Sequence, residues 1–267
     1  MQDDKTPMTE TQTPILEVRD LGRIFGGIVA INDLSLSVQE GTIHGLIGPN
    51  GAGKTTTFNV ISGFYPPSRG QIIYRGEDVS GRPTSALAER GLIRTFQGTT
   101  LFHELSVLEN VLLGCHRSAK ASVLSRILGT DRNIEKAATE KARGILKFLG
   151  LEDLTDELTA NLSHGHQRAL GLAVALAADP KLLLLDEPFT GMNPEETRQM
   201  IELVQRVRKE QNVTIMLIEH DMQAVMGLCD IITVLNFGSL LTEGTPEEVR
   251  TNPAVIEAYL GTAIDAA

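Results

Sequence analysis

Aromatic residues make up only 4 % of this 267-residue chain, tryptophan is absent, and there are just two cysteines, Cys115 and Cys229. Two thiols so far apart form neither a disulfide framework nor a metal cluster, so both are expected to be free and buried, in a reducing compartment. Basic charge is also short, with 24 Lys and Arg against 34 Asp and Glu and a net charge of -10. A general nucleic-acid footprint needs clustered basic excess, so none is expected. Long apolar runs are missing as well. The strongest, Leu182–Leu185, falls far short of a membrane span. Residues 1–13 carry Asp3, Asp4, Lys5 and scattered Thr and Pro, which reads as a disordered N-terminus and lacks the layout of a signal peptide. The chain is therefore expected in the cytosol, reaching any membrane through a partner. There is no internal repeat.

What is present centres on Gly48-Pro49-Asn50-Gly51-Ala52-Gly53-Lys54-Thr55-Thr56, a full match to the phosphate-loop pattern G-x-x-x-x-G-K-[ST]. Thr42–Ile47 reads as the buried strand before it, and Thr57–Ser62 as the first turns of the helix after it. Glycines let the backbone turn until several amides, those of Asn50, Gly51 and Gly53 among them, face one anion, and the helix adds its positive end. Lys54 is expected to reach the β and γ phosphates, Thr55 to ligate Mg²⁺, and Thr56 to join the cradle. A Gly-rich surface turn would not bring strand, Lys, Thr and helix together.

Along the chain, Ile15–Val18 alternates like a strand, and a second short strand is expected around Arg23–Phe25, followed by a turn at Gly26-Gly27. Phe25 could stack on an adenine with Val29 covering the ribose side, or it could serve equally well as core. Leu34–Val38 and Gln71–Tyr74 read as strands, Thr84–Arg90 as a helix, and Leu92–Phe96 as a strand ending at Gln97. From about 98 to 165 the spacing turns helical (Val107–Cys115, Val123–Leu128, Ile134–Leu149), which suggests a helical subdomain inserted into an α/β core. Helices and strands then alternate to Leu235, as in a mostly parallel sheet covered on both faces.

Leu182-Leu183-Leu184-Leu185-Asp186-Glu187 is an apolar run suited to a central strand, with two acids emerging at its carboxyl end, where open α/β sheets bind ligands. Beside a complete phosphate loop, Asp186 reads as a Mg²⁺ ligand and Glu187 as the group that orients or activates water, rather than as solvated acids entering a turn. Ser163-His164-Gly165 opens a helix that Ser163 can cap, with amides left free near Gly165.

These residues resemble the ATP-binding subunits of ABC transporters over nearly the whole chain and in motif order. Gly48–Thr56 resembles their Walker A loop, Gln97 their Q-loop glutamine, Leu162–Gln167 their signature, and Asp186 and Glu187 their Walker B and catalytic glutamate. Thr190–Asn193 falls at the D-loop, and His220 at the switch histidine. Within that family the chain is most similar to the larger ATP-binding subunit of branched-chain amino acid importers, on Phe25-Gly26-Gly27, Thr95-Phe96-Gln97, Gly191–Pro194, Ile218–Met222 and the tail from Gly244 to Gly261. The resemblance implies a RecA-like P-loop ATPase core with an antiparallel β piece near the N-terminus, in a single domain over 14–264. It implies ATP and Mg²⁺ as cofactors, with Gln97 at the metal and coupled to the membrane. A second ATP-binding subunit, either self or a paralogue, is expected to pair head to tail with this chain, so that Ser163 and Gly165 of one face the γ-phosphate held by the other. Two permease subunits and an extracytoplasmic solute-binding protein complete the set, with the chain peripheral on the cytoplasmic face.

Two departures stand out. His164 and His166 occupy places where the signature usually has Gly and Gln, so turnover is expected to respond to pH near neutrality. Asn193 stands where Asp is usual. An ATPase of a lipid or lipopolysaccharide exporter, or a soluble ABC protein, would share the nucleotide motifs. The tail and the Phe25 region favour the importer, and an intact Glu187 argues against a binding module without turnover. No appended regulatory domain is expected beyond the tail.

Overall fold

The computed structural model describes residues 13–95, 101–115 and 131–264. The expected disordered N-terminus, the helix over Val123–Leu128, Phe96 and Gln97 lie outside them. Among the described residues, ten strands form two sheets. The first is antiparallel, in order β2-β1-β4-β5, from β1 (Pro14–Phe25), β2 (Ile28–Gln39), β4 (Arg69–Tyr74) and β5 (Glu77–Asp78). The second runs β10-β9-β3-β8-β7-β6, from β3 (Ile43–Ile47), β6 (Leu92–Arg94), β7 (Leu182–Asp186), β8 (Thr214–Ile218), β9 (Ile231–Asn236) and β10 (Ser239–Gly244). Its strands are parallel except for the β9–β10 hairpin. This is the mostly parallel sheet with an antiparallel piece that the sequence led us to expect.

The parallel strands are apolar throughout because both of their faces are covered. Leu183 and Leu185 of β7, with Ile215 and Leu217 of β8, join a core shared with the helices, while Leu182, Leu184, Met216 and Ile218 join a second core under the antiparallel sheet. The α-helices among the described residues are α1 (Lys54–Ile61), α2 (Thr84–Glu89), α3 (Val107–Cys115), α4 (Asp131–Phe148), α5 (His164–Ala177), α6 (Pro194–Glu210), α7 (Met222–Leu228), α8 (Pro246–Thr251) and α9 (Pro253–Ile264). Helices α3, α4 and α5 pack on one another through Val111, Ala142, Leu146 and Leu170, all fully buried. Both cysteines are free and buried, as expected.

Three expectations need correction. The two short strands read in residues 15–25 are one strand of 12 residues, β1. Register shifts around Asp20 let it continue past a polar stretch, and the left-handed Asp20 (φ 48°) is tied to Ser35 by its own amide and carboxylate. β2 is likewise one strand of 12 residues, from Ile28 to Gln39. The last strand we expected, β9, is followed by a hairpin to β10. Its turn residues Phe237 (φ 45°) and Gly238 (φ 79°) are both left-handed, and an aromatic in that position hid the turn signal.

Cross-strand register brings the chemistry to one edge. Leu46 lies opposite Ile218, and Ile218 opposite Asp186. The residues that follow each of these, in the phosphate loop, at Glu219–His220 and at Glu187, therefore leave the sheet together at its carboxyl end.

Candidate functional site

The phosphate loop is braced from beneath. A Cβ on Gly48 (φ 150°) would come within 2.2 Å of the Leu235 carbonyl, and one on Gly53 (φ 99°) within 2.6 Å of the Ala30 carbonyl. Only glycine fits either place. The β9–β10 turn is fastened to the same loop, with Gly238 donating to Ala52 O at 3.0 Å and Asn32 donating to Gly238 O at 2.8 Å. At α1 the cap is Gly53, which offers no side-chain acceptor, and the first turn holds no acid. Its leading amides thus point outward uncapped, as anion binding requires.

Lys54 is half-buried and donates to the loop carbonyls of Gly48 (2.7 Å) and Pro49 (2.9 Å). Burial lowers its ammonium from the ordinary value, and the Glu187 charge works against that shift. Asn50 and Thr55 are exposed at the loop's open side, and Gly51 has nothing within 4 Å of the place a Cβ would take. Thr56 is half-buried beside them. Phe25 is half-buried, 5.2 Å from Tyr65 edge to face and under the Arg23 guanidinium at 4.4 Å. It therefore packs as part of a small aromatic cluster. Val29, next along the hairpin, is 51 % exposed.

At the end of β7, Asp186 accepts from Arg94 Nη2 at 2.7 Å, and both side chains are almost fully buried. Arg94 also reaches Asn59 Oδ1 (2.7 Å) on α1 and Ser62 Oγ (3.1 Å) at its C-cap. The pair links β6, β7 and the helix that follows the phosphate loop. Sequence reading missed Arg94, whose signal was a lone cation in an otherwise apolar three-residue strand. Glu187 sits in the left-handed region (φ 47°), its amide held by Ile218 O at 3.0 Å and its carboxylate accepting from Thr190 Oγ1 at 3.2 Å. His220 Nδ1 is 4.0 Å from Glu187 Oε2 and 3.8 Å from Glu219 Oε2. The structure thus brings Lys54, Asp186, Glu187 and His220 to one edge.

Ser163 and Gly165 stand apart from that edge. Ser163 caps α5, accepting from His166 N at 3.3 Å, and the Gly165 backbone lies against Glu196 of α6. His164 packs its ring on Gly191. A cavity of about 210 Å³ lies beside this turn, lined by Ser163, His166, Met192 and Glu196. Asn193 caps α6 in a reciprocal box with Glu196, a task that Asp would perform equally well. Another cavity, of about 260 Å³, lies between α4 and the amino ends of the strands and holds none of these residues. From the tail, Tyr259 of α9 reaches toward the Gly48 amide. Burial raises its hydroxyl to about 12, with the amide pulling back.

The donors present fit Mg²⁺ as a companion of phosphate. A cation that keeps several waters and binds substrate oxygens needs few protein ligands, a need that the exposed Thr55 hydroxyl and the Asp186 carboxylate, one oxygen of which already accepts from Arg94, would meet. Among the described residues no group of three His, Cys, Asp or Glu could form a cage by itself.

Comparison with known proteins defines the class. The ABC transporter family model matches residues 31–190, and the chain belongs to the ATP-binding, ATP-hydrolysing subunits of ABC transporters. Its branch is marked by a second model, the branched-chain amino acid ATP-binding cassette transporter tail, which matches residues 239–265. The high-affinity branched-chain amino acid transport ATP-binding protein LivG of Salmonella typhimurium is 45 % identical over 94 % of this chain and 99 % of its own length. BraF of Pseudomonas aeruginosa, described in the same words, is 44 % identical over the same shares. Among solved structures, the ADP conformation of an ATP-binding cassette of an ABC transporter superposes with a TM-score of 0.82 at 30 % identity, covering 93 % of this chain and 99 % of that one. A nucleotide-free cassette gives 0.81 at 31 %, covering 92 % and 99 %. The P-loop ATPase fold and the importer branch both stand as the sequence suggested. No helix among the described residues is long and apolar enough to cross a membrane.

Proposed function

We propose that this chain powers uptake of branched-chain amino acids by hydrolysing ATP at the carboxyl edge of β3, β8 and β7. The observation that carries the reading is the convergence there of Lys54, Asp186, Glu187 and His220. The loop amides of Asn50, Gly51 and Gly53 and the Thr56 turn receive the phosphates, and Lys54 neutralises the β and γ oxygens. Phe25 and Val29 take the base and ribose side. Thr55 and Asp186, with Gln97 assigned to the same role by the family resemblance, would hold Mg²⁺, which would supply charge neutralisation on the phosphate oxygens. Glu187 orients the attacking water and accepts its proton, and His220 holds the γ-phosphate in line.

Ser163 and Gly165 of this chain face the γ-phosphate held by a second ATP-binding subunit, whose own signature turn faces the phosphate bound here. Two permease subunits and an extracytoplasmic binding protein carry the solute, and the chain sits against the cytoplasmic face. The working unit is one ATPase domain over 14–264, with a helical insertion at about 98–165. The tail supports import over export, because its family model is that of amino acid cassettes. Replacing Glu187→Gln should lower turnover by roughly a hundredfold or more while ATP binding persists. Uptake of labelled leucine by cells carrying the assembled transporter should fall with it. Normal leucine uptake in cells lacking this chain would refute the assignment.

A further inference from the structure

One buried side chain joins the turn after β7 to the turn after β8. The Glu219 carboxylate is 1 % exposed. Its Oε1 accepts from the Phe189 amide at 2.8 Å, and its Oε2 accepts from the amides of His220 at 3.0 Å and Asp221 at 3.4 Å. Each oxygen therefore serves a different turn. Burial pushes this carboxyl up from the usual range, while the three amides and His220 pull it back. A buried acid is tolerated only where such donors converge on it.

What it holds is read from its neighbours. Glu187 is left-handed, a conformation that a long L side chain leaves unless its surroundings fix it. On one side the Ile218 carbonyl fixes its amide. On the other, two residues on, Glu219 fixes Phe189. His220 follows Glu219 directly, with its ring between the two carboxylates at 3.8 and 4.0 Å.

We propose that Glu219 is a positioning residue for hydrolysis, a buried carboxylate that locks Glu187 and His220 into one geometry without touching nucleotide. The proposal rests on the roles given above to Glu187 and His220. Its loss slows the chemical step and spares nucleotide affinity, because no bond runs from Glu219 to the phosphate loop. Gln has the same shape but one acceptor and an NH2 group that would face a donor, so it releases one turn, whereas Ala releases both.

The test uses the full chain assembled with its permease subunits. Steady-state turnover and binding of a fluorescent ATP analogue are measured for wild type, Glu219→Gln, Glu219→Ala and Glu187→Gln. Hydrogen exchange is followed in the segments around 187–192 and 218–223. Glu219→Gln, which preserves shape, should lower kcat by roughly ten- to a hundredfold, as a small misplacement of reacting groups does. Analogue affinity should stay within about twofold, and exchange should quicken in one of the two segments. Glu219→Ala should fall further. Wild-type kcat in Glu219→Gln, beside an inactive Glu187→Gln, overturns this proposal alone. Parallel loss of kcat, affinity and melting temperature in Glu219→Gln also overturns it, since that marks a merely structural role. Full turnover in Glu187→Gln overturns the underlying assignment and this proposal with it.

Discussion

The two places expected to meet ATP are built in opposite ways. At the edge of β3, β8 and β7, polar groups are fixed by buried partners: Asp186 by Arg94, Glu219 by three amides, Glu187 by Ile218 O and Thr190. At the Ser163 turn, an exposed segment is held by a long capping bond, by Gln167 donating to the Ser163 and Leu162 carbonyls, and by packing on Glu196 and Gly191. Charge that must be handled within one chain is organised in advance, where water is excluded and electrostatic interactions are strong. Under the proposed function, the exposed Ser163 surface would be completed by docking of the second subunit.

The sharpest way to break this contrast is Arg94→Ala. It leaves the Asp186 carboxylate buried without its cation and should cost roughly 3–5 kcal/mol, read from the urea midpoint. A cost below about 1 kcal/mol, the range of exposed pairs, would erase the distinction.

Next in size is a pH effect at His44, on β3. This ring is 1 % exposed and bonded to Thr233 Oγ1 at 2.7 Å, and burial lowers it to about 4 from 6.5. Because the folded value is depressed, the fold favours the neutral ring. That stability is fully present above pH 6.5 and is lost as pH falls toward 4, by roughly 3 kcal/mol in all. Unfolding followed between pH 7 and 4 should show this loss, and His44→Gln should flatten it.

The smallest effect belongs to the open surface. Ser163→Ala should cost only about 0.5–1 kcal/mol of stability, the value of one helix cap. Turnover of the assembled transporter should nevertheless drop by roughly tenfold or more, as for a lost donor at a developing anion. A variant with normal turnover would leave Ser163 as a cap and nothing else.

Much of this was legible because its signals are local. The phosphate loop, the acids after Leu185 and the helical spacing of Val107–Cys115 each reside within a few residues, and the structure places them as read. What escaped depends on distance or on unusual backbone. Arg94 meets Asp186 across 92 positions, and neither residue's surroundings announce the other. Glu219 reads as part of a strand end beside a histidine, and only the fold shows that its partner Phe189 lies 30 residues away. The bulges that keep β1 continuous rest on a left-handed Asp20, and the β9–β10 turn on a left-handed Phe237, both rare outside glycine.

That turn has a thermodynamic consequence. Gly238 is bonded to Ala52 and Asn32, and Tyr259 reaches Gly48. Through Gly238 and Tyr259 the tail is thus tied directly to the nucleotide cradle. Opening of the tail should therefore be coupled to opening of the phosphate loop, so a ligand bound at the loop should also slow exchange in the tail.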